Sequence, residues 1–258
     1  VISVWGAAAI QAFKDTFYGF GFFWLIVRES LKLNTHRGVG WKVVVMQILF
    51  TGVNAMAIIV LIALSLGAVI IFEGAQVLGV IGQKDLLYVL LVTIITRELG
   101  PLLTAFIVMA RSGVAIATEL SNMVISQEIE AYMAVGINPI SYLVVPRFLG
   151  VTVSVVALTV LFSAAGLAGA WFVVQFIQPI PAAEYFSNLL AHLTVKDILA
   201  SLVKSLAFGM VIAVVSSYHG FQANQSSTEV PVLVIKAVTR GFGLLIIFDV
   251  FITLAYLL

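Results

Sequence analysis

The chain has 258 residues, 62% of them hydrophobic and 10% charged, with a mean hydropathy of +1.17. Soluble domains carry about 25% charged residues, so a water-soluble globule is excluded. A net charge of +1 and the absence of cysteine leave no general attraction for nucleic acid, no disulfide and no thiolate metal site.

The chain order begins with a segment, residues 1–42, that is not long enough in apolar residues to cross a bilayer. Its aromatic run Phe17 to Val27, flanked by Lys14, Asp15, Arg28, Glu29 and Lys32, predicts a helix lying in the membrane interface; a sixth short span is the alternative. The first residues show no succession of basic, apolar and small-residue regions, so no removable signal peptide is expected among them. From 43 to 258 the chain reads as a transmembrane domain. A crossing needs about 20 apolar residues, and five spans meet that rule: about Val43 to Phe72, Leu86 to Ala110, Phe148 to Ile177, Ile198 to Tyr218 and Val232 to Leu258. The second is interrupted by Arg97-Glu98 and Pro101. The third carries Ala165, Gly166, Gly169 and Ala170, small residues four apart that let helix backbones approach closely, against another span or a second protomer.

Basic residues fix an expected orientation. Lys14, Arg28, Lys32, Arg37 and Lys42 precede the first span, Arg111 and Arg147 bound a loop after the second, and Lys236 and Arg240 open the fifth. Only Lys84 and Lys196 lie opposite, so the N-terminus and the 111–147 and 219–231 loops are expected in the cytoplasm. Within the 111–147 loop, a short helix at 126–136 is predicted, with Ser126 as N-cap, Glu128 and Glu130 in its first turn, an apolar face of Ile129, Tyr132 and Met133, and Gly136 and Pro139 as terminators.

Charged residues inside spans are costly and mark either structure or function. At 1.5 Å per residue Lys204 lies ~12 Å in from Lys196 and Asp249 ~13 Å in from Leu258, which predicts an ion pair, with Glu98 near enough to share the lysine. Arg97 and Glu98 lie ~16 to 18 Å from Leu86 and, as sequence neighbours on a helix, are not expected to satisfy each other. No phosphate-binding G-x-x-x-x-G-K-[ST] loop, Ser-His-Asp set or spaced histidine pair occurs, so neither ATP hydrolysis nor metal catalysis is expected of this chain.

The ordered run Arg97-Glu98-Leu99-Gly100-Pro101, Arg111-Ser112-Gly113, Ala117-Thr118-Glu119-Leu120, Gln127-Glu128-Ile129-Glu130-Ala131, Met133 to Pro139 and Val145-Pro146-Arg147, continued by Asp197, Lys204-Ser205, Phe208-Gly209, Gly220 and Asp249, resembles the MlaE/YrbE permeases of lipid-transporting ABC systems. Glu73 and the loop Gln225 to Pro231 depart from the usual family pattern. The resemblance implies an all-α polytopic subunit of the bacterial inner membrane, acting as a homodimer. It further implies separate ABC ATPase subunits that use ATP and Mg, a hexamer of MCE-domain protein, in some systems a STAS-domain protein, and phospholipid as cargo. Residues 126–136 would then be a coupling helix contacting the ATPase through Gln127, Glu128, Ile129, Glu130, Tyr132 and Met133. Leu66, Ile70, Tyr88 and Leu91, leading to Arg97, would line the lipid path. An ion-coupled secondary transporter or channel, with Arg97, Glu98, Lys204 and Asp249 as coupling groups, is the alternative; no internal repeat supports it.

Overall fold

The computed structural model describes residues 19–31, 41–81, 85–177, 180–224 and 226–257. Among these residues every regular element is helical, and five helical stretches are long and apolar enough to cross a membrane: Trp41–Gln76, Leu86–Ile125, Ile140–Phe176, Val195–Gly220 and Val230–Tyr256. The expected all-α polytopic architecture with five spans is therefore present.

Helix α1 covers 19–31. At 1.5 Å per residue it is about 20 Å long, short of the ~30 Å hydrocarbon layer. Phe22 packs 5.8 Å from Tyr218 and 6.3 Å from Phe221 between ring centroids, and Ser141 donates a hydrogen bond to Glu29 at 2.8 Å. These three partners all lie at one end of the span bundle, and α1 packs against that end. Phe17 and Tyr18 of the predicted aromatic run, like Lys14, Asp15, Lys32 and Arg37, lie outside the described residues.

The first span, α2 (Trp41–Ile81), packs along the third, α7 (Val145–Ile177). The small-residue face of α7 meets α2 of the same chain: a Cβ added to Gly67 would lie 1.9 Å from the Gly166 carbonyl oxygen, and one added to Gly169 would lie 2.6 Å from that of Leu64. Backbone touches backbone here, so no side chain can yield. Gly67→Ala is expected to separate the two helices and cost at least ~2 kcal/mol, more than the ~1 kcal/mol that alanine's better helix propensity returns. A lower detergent-solubilised melting temperature and greater protease sensitivity check this; wild-type stability would contradict the close approach.

The second span is a continuous helical rod: α3 (Asp85–Leu91), a π-helical stretch (Val92–Leu99), α4 (Gly100–Val108), a second π-helical turn (Met109–Gly113) and α5 (Val114–Ile125). The expected end near Ala110 is corrected, since the helix continues to Ile125 and Arg111 sits within it. The polar step Arg111-Ser112-Gly113 does not break the helix, because it is absorbed by the wide turn and because Ile116, Ala117, Leu120 and Ser121 are buried beyond it. Arg111 donates to the Asn54 carbonyl of α2.

Helix α6 (Glu128–Ala134) follows, then a π-helical turn (Ile140–Val144) leads directly into α7. Between the third and fourth spans lies α8 (Ala182–His192), which the sequence reading did not anticipate. It covers the end of the second span: Tyr88 packs 5.8 Å from Tyr185 and stacks 6.1 Å from His192. Burial pushes the Tyr185 phenol up from its ordinary pKa, with Tyr88 adding to the effect, and keeps it a donor to the Leu167 carbonyl at 3.1 Å. The fourth span, α9 (Val195–Gly220), starts at a capping box in which Thr194 accepts from the Asp197 amide and Asp197 accepts from the Thr194 amide. A short 3-10 turn (Ser227–Glu229) opens the fifth, α10 (Val230–Leu257).

Candidate functional site

Two features gather the residues singled out by sequence. The first is a chain of charges joining the second, fourth and fifth spans. Its position begins with Pro101, whose missing amide and bulky ring disfavour a regular α-turn around residue 97. The wide Val92–Leu99 turn accommodates it, and Gly100 makes it possible, since a Cβ there would lie 2.4 Å from the Ile95 carbonyl oxygen. The turn presents Arg97 and Glu98 together towards α9 and α10.

Lys204, 1% exposed in its side chain, sits between Glu98 at 2.5 Å and Asp249 at 2.9 Å. The expected pair and its sharing by Glu98 are thus both present. Thr253 donates to Glu98 at 3.2 Å. One expectation is corrected: Arg97 Nε donates to Glu98 Oε1 at 3.0 Å, so the sequence neighbours do satisfy each other. The physical reason is the π geometry, which departs from the 100° step assumed for an α-helix. The guanidinium also approaches Asp197 at 3.7 Å and lies 5.0 Å over the Tyr256 ring, while Tyr256 donates to Asp197 at 3.4 Å.

The result is a continuous sequence of partners, Asp249, Lys204, Glu98, Arg97 and Asp197, in which two cations face three carboxylates. Such a network offsets the cost of placing charge in a membrane and clasps three spans together. Asp197 entered the sequence reading only through the family likeness, and Thr253 and Tyr256 not at all. The Thr194-x-x-Asp197 spacing signals the capping box, whereas nothing local to Tyr256 signals its distant partner.

The second feature is α6. Its two turns hold no buried residue, yet its end is well made: Gly136, at φ 79°, lets its amide reach the Met133 carbonyl at 3.0 Å and the Ile137 amide reach that of Tyr132 at 2.9 Å. The Ser126 cap is corrected. Ser126 instead closes α5, its hydroxyl 3.0 Å from both the Asn122 carbonyl and the Glu128 carboxylate and free to donate to either, because the reversal puts Gln127 between it and the first residue of α6. Gln127 takes the N-cap position in the left-handed conformation, φ 61°, which an L side chain adopts at a cost.

The predicted apolar face is divided. Ile129 and Tyr132 lean on the core, with Tyr132 5.4 Å from Tyr142, while Met133 is 56% exposed at the face's edge. Val135, Glu128 and Glu130 are exposed beside it. Close by, buried Arg147 binds Glu119 at 2.7 Å and the Leu143 carbonyl at 2.7 Å, tying α5 to the start of α7.

Of the four residues expected along a lipid path, Leu91 is fully buried and Tyr88 nearly so, while Leu66 and Ile70 are partly buried against the core. Among the described residues no cluster of histidine, aspartate and glutamate could hold a metal ion.

The model of a family described as Permease MlaE matches residues 44–255. The chain belongs to the MlaE permease family. It is similar to a probable ABC transporter permease protein of Rickettsia typhi, 26% identical over 212 residues that cover 82% of each chain. A probable ABC transporter permease protein of Pyropia yezoensis is 28% identical over 245 residues, 95% of this chain and 88% of the relative. One of Synechocystis is 30% identical over 174 residues, 67% and 66% of the two. As an MlaE family member with five apolar spans, it is a multi-pass membrane permease subunit of an ABC transporter, a class that works with ATPase subunits.

Proposed function

We propose that this permease moves phospholipid, as a homodimer with two ATPase subunits, between the bacterial inner membrane and an MCE-domain protein, with its N-terminus and α6 in the cytoplasm. The observation that carries the ATPase contact is α6: a well-terminated helix, held between the second and third spans, that exposes Met133 and Val135 instead of burying them. An exposed apolar tip at the end of two spans suits a partner whose closure on ATP moves those spans. The clasp around Lys204 would hold the moving spans in register, and Arg97 or Glu98 would meet a lipid head group when partners exchange.

The positive-inside pattern supports the orientation, and lipid cargo suits so apolar a subunit, because each buried methylene contributes ~0.8 kcal/mol. Native mass spectrometry of the purified complex tests the reading. It should show two copies of this chain, two ATPase subunits, an MCE-domain hexamer and bound phospholipid; a lone chain without ATPase would overturn it. A STAS-domain protein would appear as an additional mass.

A further inference from the structure

A cavity of about 660 Å³ opens between α1, α9 and α10 and belongs to neither feature described above. Its walls follow helical periodicity. On α9 they include Ala207, Met210, Val211, Val214 and Tyr218, and on α10 they include Arg240, Gly243, Leu244 and Ile247. Phe20 and Phe23 of α1 close one side.

From Ala207 to Tyr218 the groove runs about 16 Å at 1.5 Å per residue, half of a ~30 Å hydrocarbon layer, so its depth is that of one leaflet. Its charge is confined to one end. His219 Nδ1 donates to the Val215 carbonyl at 2.9 Å, leaving Nε2 to accept from Arg240 at 3.3 Å, which aims the guanidinium at the groove mouth. Lys236, one turn earlier on the same side of α10, adds a second exposed cation at that level.

An apolar slot one leaflet deep with cations at its headgroup end has the shape and charge of a single-leaflet lipid. We infer that this groove binds a glycerophospholipid of the leaflet on the Arg240 side, with one acyl chain along α9 and α10 and an anionic head group at Arg240. The site stands on the groove itself and holds whether or not phospholipid is the cargo of transport.

Gly243 supplies the test, because it lines the groove and a Cβ there meets nothing within 4 Å, so a larger side chain starts into open space. The full chain, with its copurifying partners, is reconstituted in nanodiscs of phosphatidylglycerol or phosphatidylcholine, with a diazirine side chain at Met210. Lipid cross-linking is expected with preference for phosphatidylglycerol. Gly243→Phe should lower the yield at least fivefold, and Gly243→Ala should fall between the two, which separates groove filling from misfolding. Arg240→Gln should keep the yield in phosphatidylcholine and abolish the preference. An unchanged yield in Gly243→Phe, or cross-linking to a second copy of the chain in place of lipid, overturns the site; a preference that survives Arg240→Gln overturns the head-group assignment.

Discussion

Replacing Lys204 by methionine is expected to be the most damaging single substitution in the chain. The methionine fits the apolar part of the site but leaves Glu98 and Asp249, both held by the lysine at 2.5 and 2.9 Å, without their shared cation. Breaking a buried pair by removing one partner costs about 3–5 kcal/mol; here Asp249 loses its cation outright, while Glu98 keeps a cation only in Arg97 at 3.0 Å. Asp249→Asn should cost less, since Lys204 retains Glu98. Lys204→Asp and Asp249→Lys should each impair folding or transport, and the double swap should recover only part of the loss, because the new aspartate at 204 faces Glu98. Yield and thermal unfolding in nanodiscs check the order. Equal stability of Lys204→Met and the wild type would mean that the ion pairs contribute nothing.

Breaking α6 should give the opposite pattern, a loss of function without loss of the membrane fold. Ala131 donates its amide to the Gln127 carbonyl at 3.1 Å, and Ala131→Pro removes that bond and places a ring against the preceding turn. The local cost is ~3 kcal/mol in a helix of only two turns, enough to undo it. Helix α6 buries no residue and only leans on the core through Ile129 and Tyr132, so the spans should still assemble. ATPase copurification and lipid-stimulated hydrolysis should both fall at least tenfold while the melting temperature of the permease stays within a few degrees. A mutant that retains its ATPase and its stimulation would remove α6 from the coupling role.

The spans and the Lys204 cluster were legible in the sequence for a simple reason: apolar length and charge depth are one-dimensional quantities, and depths of ~12 and ~13 Å already bring Lys204 and Asp249 to one level. What was not legible depended on departures from the regular helix. The step of 100° per residue turns Arg97 and Glu98 apart, whereas the π-helical stretch before Pro101 brings them together. Arg111-Ser112-Gly113 looks like the end of a span, yet Gly113 fits beside Met109 and Ser216, where a Cβ would lie 2.8 Å from one and 2.9 Å from the other, and the helix carries on. Ser126 has the chemistry of an N-cap, but a reversal that gives Gln127 a positive φ leaves its hydroxyl beside the Asn122 carbonyl and the Glu128 carboxylate, not at an amide of α6. Leu91 and Tyr88 follow the apolar pattern of a span, but nothing in that pattern signals α8, whose Tyr185 packs over Tyr88.

The central claim is that this chain is the membrane path of a lipid pump whose energy arrives through α6. The measurement that meets it most directly is phospholipid transfer between the membrane and the MCE-domain protein by the purified complex in proteoliposomes, with ATP, without ATP, and with Ala131→Pro. The account predicts transfer that requires ATP and falls at least tenfold in the mutant. Transfer that proceeds unchanged without ATP, or that follows an imposed ion gradient instead, would contradict it and favour an ion-coupled transporter built around Lys204 and Asp249.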